Sequence, residues 1–161
     1  MNSYWIDSTK KIFKENQIDD NYLVDVCIIG AGICGLSTGY YLAKQGLKVI
    51  IIDKDGIGEK ATGNTTAKIT LQHHLIYDYL INSFGQPFAL KYFQSNKKAI
   101  SNIKQIIDSE EIQCDFEYQD NFVYTKSQNE IQQIKKEVNA LNLLNTLERQ
   151  QYTTNFCTIC N

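Results

Sequence analysis

The apolar positions of the chain change period several times, and each change marks an element. Val26–Ile29 is a continuous apolar run rich in β-branched residues and bounded by Gly30, which predicts a buried strand of a parallel sheet. Beyond it Ile33, Leu36, Tyr40 and Ala43 recur at intervals of three and four, predicting a helix over 33–45 that Gly46 ends. Lys48 to Ile52 is apolar again and predicts a second strand, with Asp53 at its end. Further on, 75–84 reads as a short helix stopped by Gly85, and Pro87 suits the first turn of a longer one. The stripe of that helix is Ala89, Tyr92, Phe93, Ile100, Ile103 and Ile107. Cys114 to Tyr118 and Phe122 to Thr125 alternate apolar with polar around Gln119-Asp120-Asn121, the pattern of an antiparallel hairpin. Ser127 and Glu130 form a capping box, opening a helix whose expected inner face is Ile131, Ile134, Val138 and Leu141.

The glycines between the first strand and helix change this picture from architecture to chemistry. Gly30, Gly32 and Gly35 have the spacing G-x-G-x-x-G. The first permits a tight turn out of the strand, the second lets backbone approach a pyrophosphate, and the third lets the helix lie close on the strands. Gly39 extends the thin face of the helix by one turn. Amides at the helix start point at the ligand, and the helix dipole favours negative charge there. Asp53, 18 residues beyond Gly35, stands where a carboxylate can accept hydrogen bonds from a ribose. Strand, turn, helix, strand and acid in that order specify a dinucleotide far better than three glycines alone. The βαβ unit does not separate FAD from NAD, although an acid at 53 disfavours the 2′-phosphate of NADP.

The segment 58–74 that follows is polar and small, with hydroxyls at Thr62, Thr65, Thr66 and Thr70. It reads either as a loop offering amides and hydroxyls to phosphate or ribitol oxygens, or as a surface connection with Thr-rich turns. Lys60 and Lys68 lie on it, and solvated lysines are the expected reading. His73 and His74 are neighbours, so most regular structure sends them to different faces and a shared metal is not expected; a histidine donating to a backbone carbonyl is.

The expected fold class is therefore α/β: a Rossmann-like βαβ unit, then helices and an antiparallel hairpin that begins a second region, together an incomplete domain. The expected divisions are an arm over 1–22, the dinucleotide unit with its Thr-rich loop over 23–74, a helical and hairpin region over 75–144, and an aperiodic tail over 145–161. In the arm, Trp5 is the chain's one tryptophan and reads as a packing anchor.

Composition narrows the partners. With 16 basic and 18 acidic residues among 161, the net charge of −2 argues against nucleic acid or another polyanion. No run reaches the length of a membrane span or a signal-peptide core, which makes the cytoplasm the default location. The five cysteines form no secreted framework and are read as reduced, with Cys27 and Cys34 packing as small buried thiols. Cys157 and Cys160 have C-x-x-C spacing, but one pair does not close a four-ligand zinc site, and chance is the expected explanation.

Val24 to Asp53, and more tellingly Ala61 to Thr70 (ATGNTTAKIT) followed by Gln72-His73, resemble FAD-dependent oxidoreductases of the D-amino-acid oxidase/glycine oxidase superfamily. The resemblance is to bacterial members, some of which carry a C-terminal Rieske iron–sulfur domain, and covers roughly residues 4–143. It implies FAD as cofactor, a small, amine-like substrate and transfer of a hydride equivalent to the flavin. It also implies FAD contacts at Gly30, Ala31, Gly32, Ile33, Cys34, Gly35, Asp53, Lys54, Thr62, Thr65 and Thr66. No catalytic acid or base is assigned. Members of the family run to more than twice this length, so the expectation is an N-terminal fragment, made by a premature stop or frameshift near Leu144. A nicotinamide-binding enzyme and a non-catalytic fragment are the competing readings.

Overall fold

In the computed structural model, which describes residues 3–8 and 17–147, the chain divides into two units, Met1–Lys68 and Ile69–Asn161. The first is built on β1 (Val26–Ile29), α2 (Ile33–Lys44) and β2 (Val49–Ile52), preceded by the short α1 (Tyr4–Ser8). The two strands pair in parallel, Val26 opposite Val49 and Ile29 opposite Ile52. Helix α2 closes through Gly46, whose φ of 85° suits glycine and whose N–H reaches the Ala43 carbonyl at 2.9 Å. Close approach of helix to sheet is enforced by missing side chains. A Cβ on Gly39 would stand 2.7 Å from Ile51 Cδ1, and one on Gly35 only 1.9 Å from the Gly30 carbonyl oxygen.

The expectation of a fully buried β1 is corrected. Ile28 faces α2, as its contacts with Gly35 and Gly39 show, whereas Cys27 and Ile29 point to the other face and are exposed, Ile29 by 86%. Side chains alternate along a strand, so β1 turns one side chain in two away from α2, while all four residues of β2 are half-buried. The same alternation exposes the Cys27 thiol, and Cys34 is exposed in the first turn of α2, so neither packs as a buried apolar group.

The second unit is helical: α3 (Tyr77–Phe84), α4 (Gln86–Ser109) and α5 (Gln128–Leu147). Its core is Tyr77, Leu80, Ala89, Phe93, Ala140, Leu141 and Leu144. Gly85, at φ 81°, joins α3 to α4, and Pro87 occupies the first turn as its lost N–H allows. On α5 the inner face holds Ile134, Leu141 and Leu144, with Ile131 and Val138 only half-buried. That face also holds a carboxylate. Glu137 is fully buried. Its Oε1 accepts from the Tyr77 N–H at 3.0 Å and the Gln72 side-chain amide at 2.8 Å, and its Oε2 from the Asp78 N–H at 2.9 Å. Glu137 thus caps α3 from another helix, a negative charge on a positive helix end. Beside it the Tyr77 hydroxyl donates to the Leu71 carbonyl at 2.6 Å, and burial, with Tyr92 and Glu137 adding to it, pushes the phenol's pKa well up.

The antiparallel hairpin does not form; the only sheet among the described residues is parallel. From Asn121 to Ser127 the half-buried and exposed positions do alternate, yet residues 113–125 carry no ladder. Tyr118, Phe122 and Tyr124 are 71%, 56% and 68% exposed. A lone two-stranded hairpin without an apolar face to bury is marginal in water. The tail expected over 145–161 lies outside the described residues beyond Leu147, as do Cys157 and Cys160. No helix among the described residues is long and apolar enough to cross a membrane.

Candidate functional site

The site begins where β1 ends. Gly30 takes φ 110°, a conformation open to glycine, and its N–H still bonds the Ile52 carbonyl of β2 at 2.7 Å. The chain then turns through the buried Ala31 into α2, for which Gly32 is the N-cap with no side chain to offer. A cap without a side chain leaves helix amides needing acceptors. One of these amides, and the N–H just before the cap, are met from elsewhere in the unit. The Ala31 N–H donates to Asp53 Oδ2 at 2.8 Å, and the Ile33 N–H donates to Thr62 Oγ1 at 2.9 Å. The amides of Gly32, Cys34 and Gly35 have no protein acceptor among the described residues. Three unpaired N–H groups at the positive end of a 12-residue helix form a ready cradle for an anion.

Asp53 joins the end of β2 to this turn. While Oδ2 holds Ala31, its Oδ1 accepts from the Asp55 N–H at 2.8 Å and the Gly56 N–H at 3.3 Å. These bonds, Ala31 first and Asp55 next, hold the carboxyl below its ordinary pKa of 3.8 against a smaller opposing effect of burial. Asp53 remains exposed, and since Oδ1 already accepts twice, it is the second lone pair of Oδ2 that is open to a ligand hydroxyl.

The Thr-rich loop returns to the same turn. Thr62 supplies the hydroxyl to Ile33, and the Gly58 N–H bonds the Ala31 carbonyl at 3.0 Å. A Cβ on Gly32 would sit 3.3 Å from Thr62 Oγ1, so a larger residue there requires Thr62 to give by a few tenths of an ångström. Thr62 is therefore brought to the helix start with Gly30, Ala31, Gly32, Ile33, Cys34, Gly35 and Asp53. Thr65 is turned to other work: its hydroxyl accepts from the Ala67 N–H at 3.3 Å and its carbonyl from the Trp5 indole at 2.8 Å. Thr66 is exposed. The Lys54 side chain is 89% exposed, its ammonium 4.0 Å from Asp55, and Lys60 pairs with Asp55 at 3.4 Å, which leaves both at the rim as solvated charges. The sequence reading missed the contact of Trp5 with Thr65, which joins positions 60 residues apart and leaves no local pattern. It also expected His73 to donate to a backbone carbonyl. Its Nδ1 instead stands 3.2 Å from the Tyr92 hydroxyl in the helical unit.

Unpaired amides at a helix start beside a braced carboxylate are an arrangement that suits a dinucleotide. The chain belongs to the FAD dependent oxidoreductase family, whose model matches residues 25–154, and FAD is the cofactor of that family. It is 40% identical over 136 residues to the "Putative Rieske 2Fe-2S iron-sulfur protein YhfW" of Bacillus subtilis, covering 84% of this chain and 26% of that protein. It is 32% identical over 114 residues to the "Probable oxidoreductase OrdL" of Haemophilus influenzae, covering 71% of this chain and 26% of the relative. With the gamma-glutamylputrescine oxidoreductase of Escherichia coli the identity is 25% over 114 residues, covering 71% and 27%. The chain thus spans about a quarter of the length of the curated relatives it matches. No solved structure matches it.

Proposed function

We propose that residues 23–74 hold the ADP half of FAD for a flavin-dependent oxidoreductase that oxidises an amine or similar C–H substrate. The observation that carries this reading is the set of unpaired amides at Gly32, Cys34 and Gly35 with Asp53 bonded to the same turn. The amides take the pyrophosphate oxygens, with Gly30 and Ala31 shaping the turn that presents them. Asp53, held in place by three backbone donors, accepts from the ribose with the remaining lone pair of Oδ2. Thr62 spends an acceptor lone pair on Ile33, so its single hydrogen is directed to donate to phosphate. Thr65, Thr66 and Lys54 complete the set, Lys54 as a solvated counter-charge. Bound FAD supplies the two-electron acceptor that no side chain provides.

The substrate class rests on the relatives: one is named for gamma-glutamylputrescine, an amine. The chain spans about a quarter of the length of those relatives, and the oxidation proposed here is that of the whole protein, working in the cytoplasm.

Absorbance and mass of the cofactor that co-purifies with the chain test the reading, followed by titration with FAD and NAD. FAD uptake with no NAD binding supports it. Uptake of NAD in preference to FAD would overturn it in favour of a nicotinamide enzyme.

A further inference from the structure

The first unit carries a contact that dinucleotide binding does not require. Helix α1 lies against the Thr-rich loop: the Trp5 indole N–H donates to the Thr65 carbonyl at 2.8 Å. Next to it Ile6 packs on Gly63 so closely that a Cβ there would meet Ile6 Cγ1 at 2.9 Å and Cδ1 at 3.0 Å. The same Cβ would stand 2.4 Å from the Gly58 carbonyl oxygen, so the loop is folded tightly on itself where α1 touches it. Through Thr62 and Gly58 this loop also grips the glycine turn at Ile33 and Ala31. One unbroken series of contacts thus runs from α1, through residues 58–65, to the amides at the start of α2.

We infer that α1 is a clamp on the cofactor loop, with Trp5 and Ile6 as positioning residues that set FAD affinity by holding 58–66 in its binding shape. The inference rests on the FAD reading above. An exposed polar loop is costly to order when ligand arrives, and a loop already ordered spares that cost. Binding and clamping are then linked: whatever factor the clamp adds to FAD affinity, bound FAD must return to the docking of α1.

Trp5→Phe in the full chain keeps the ring and removes the N–H. It should weaken FAD binding about fivefold, the worth of one neutral hydrogen bond. Trp5→Ala combined with Ile6→Ala should weaken it at least about tenfold. A merely structural anchor would shift the melting temperature and leave affinity alone. If α1 is a clamp, both variants should also show faster amide hydrogen exchange over 60–67 than the unaltered chain, each without cofactor. In the unaltered chain, saturating FAD should slow exchange of the Trp5 indole N–H, and this readout needs no variant. FAD affinity unchanged in both variants, or indole exchange indifferent to FAD, overturns the inference. If the unaltered chain binds no FAD, the FAD reading falls and the clamp falls with it as a determinant of affinity. Exchange over 60–67 then still decides whether α1 orders the loop, and unchanged exchange in Trp5→Phe rejects that as well.

Discussion

The two units hold their shapes by different means. Residues 69–147 have a conventional core, in which Tyr77, Phe93, Leu141 and Leu144 are 2% exposed or less. Residues 3–68 have almost none: among their described apolar side chains only Ala31 is fully buried, while Leu23, Ile29 and Ile33 are 93%, 86% and 61% exposed. The first unit keeps its form through directed contacts instead, with Asp53, Thr62 and Trp5 each bonded to backbone groups distant in sequence. Apolar burial is non-directional and tolerates adjustment, whereas a hydrogen-bonded turn is right or wrong by tenths of an ångström. Substitutions should therefore register mainly as lost binding in the first unit and as lost stability in the second.

The largest expected effect comes from Gly35→Ala. Its Cβ would fall 1.9 Å from a carbonyl oxygen that belongs to the turn itself, so the turn must open at a cost of about 3 kcal/mol, the upper range of overpacking. FAD binding measured by flavin fluorescence should drop beyond detection, and retained micromolar binding would contradict the geometry. Glu137→Ala tests the other unit. It strands the Tyr77 and Asp78 amides and the Gln72 side chain, for about 3 kcal/mol of stability by denaturant titration. FAD affinity should be unchanged; a matching loss of affinity would show that the two units do not divide the labour this way. Thr62→Val removes the acceptor of the Ile33 N–H and should cost about 1 kcal/mol, with FAD binding weakened about fivefold. An unaltered affinity there would remove Thr62 from the proposed site.

The smallest effect is the acid response of the glycine turn. Asp53 has a folded pKa below its ordinary 3.8, so its stabilising contribution is complete above that value. It is lost only as pH falls through the lower folded value. Backbone resonances of Ala31, Asp55 and Gly56 should titrate together below pH 3.8. A midpoint above 3.8 at Asp53 would mean that its three amide bonds do not persist in solution.

Much of this was readable along the chain because much of it is local. Helix α2 ends at Lys44 against an expected 45, β2 spans Val49–Ile52 within an expected 48–52, and Gly85 and Pro87 stand at the α3–α4 junction as their backbone preferences require. The hairpin failed for the opposite reason. Alternation at 114–125 is a property of the segment, but a ladder needs a partner and a face to bury, and neither follows from period. Glu137 was legible in principle, three residues after Ile134 and four before Leu141 on the apolar stripe, yet a charge at such a position reads as a solvated face until its donors are known.

The sequence by itself determined the strand–turn–helix–strand unit, its glycine spacing and the acid that closes it, since each rests on backbone preference or on neighbours within a few residues. The tertiary structure alone decided that Asp53 braces Ala31, that Thr62 caps Ile33, that Trp5 holds Thr65 and that a buried glutamate starts α3. Those four contacts join residues 22 to 60 positions apart, and at such separations only the folded path of the chain determines which donor meets which acceptor.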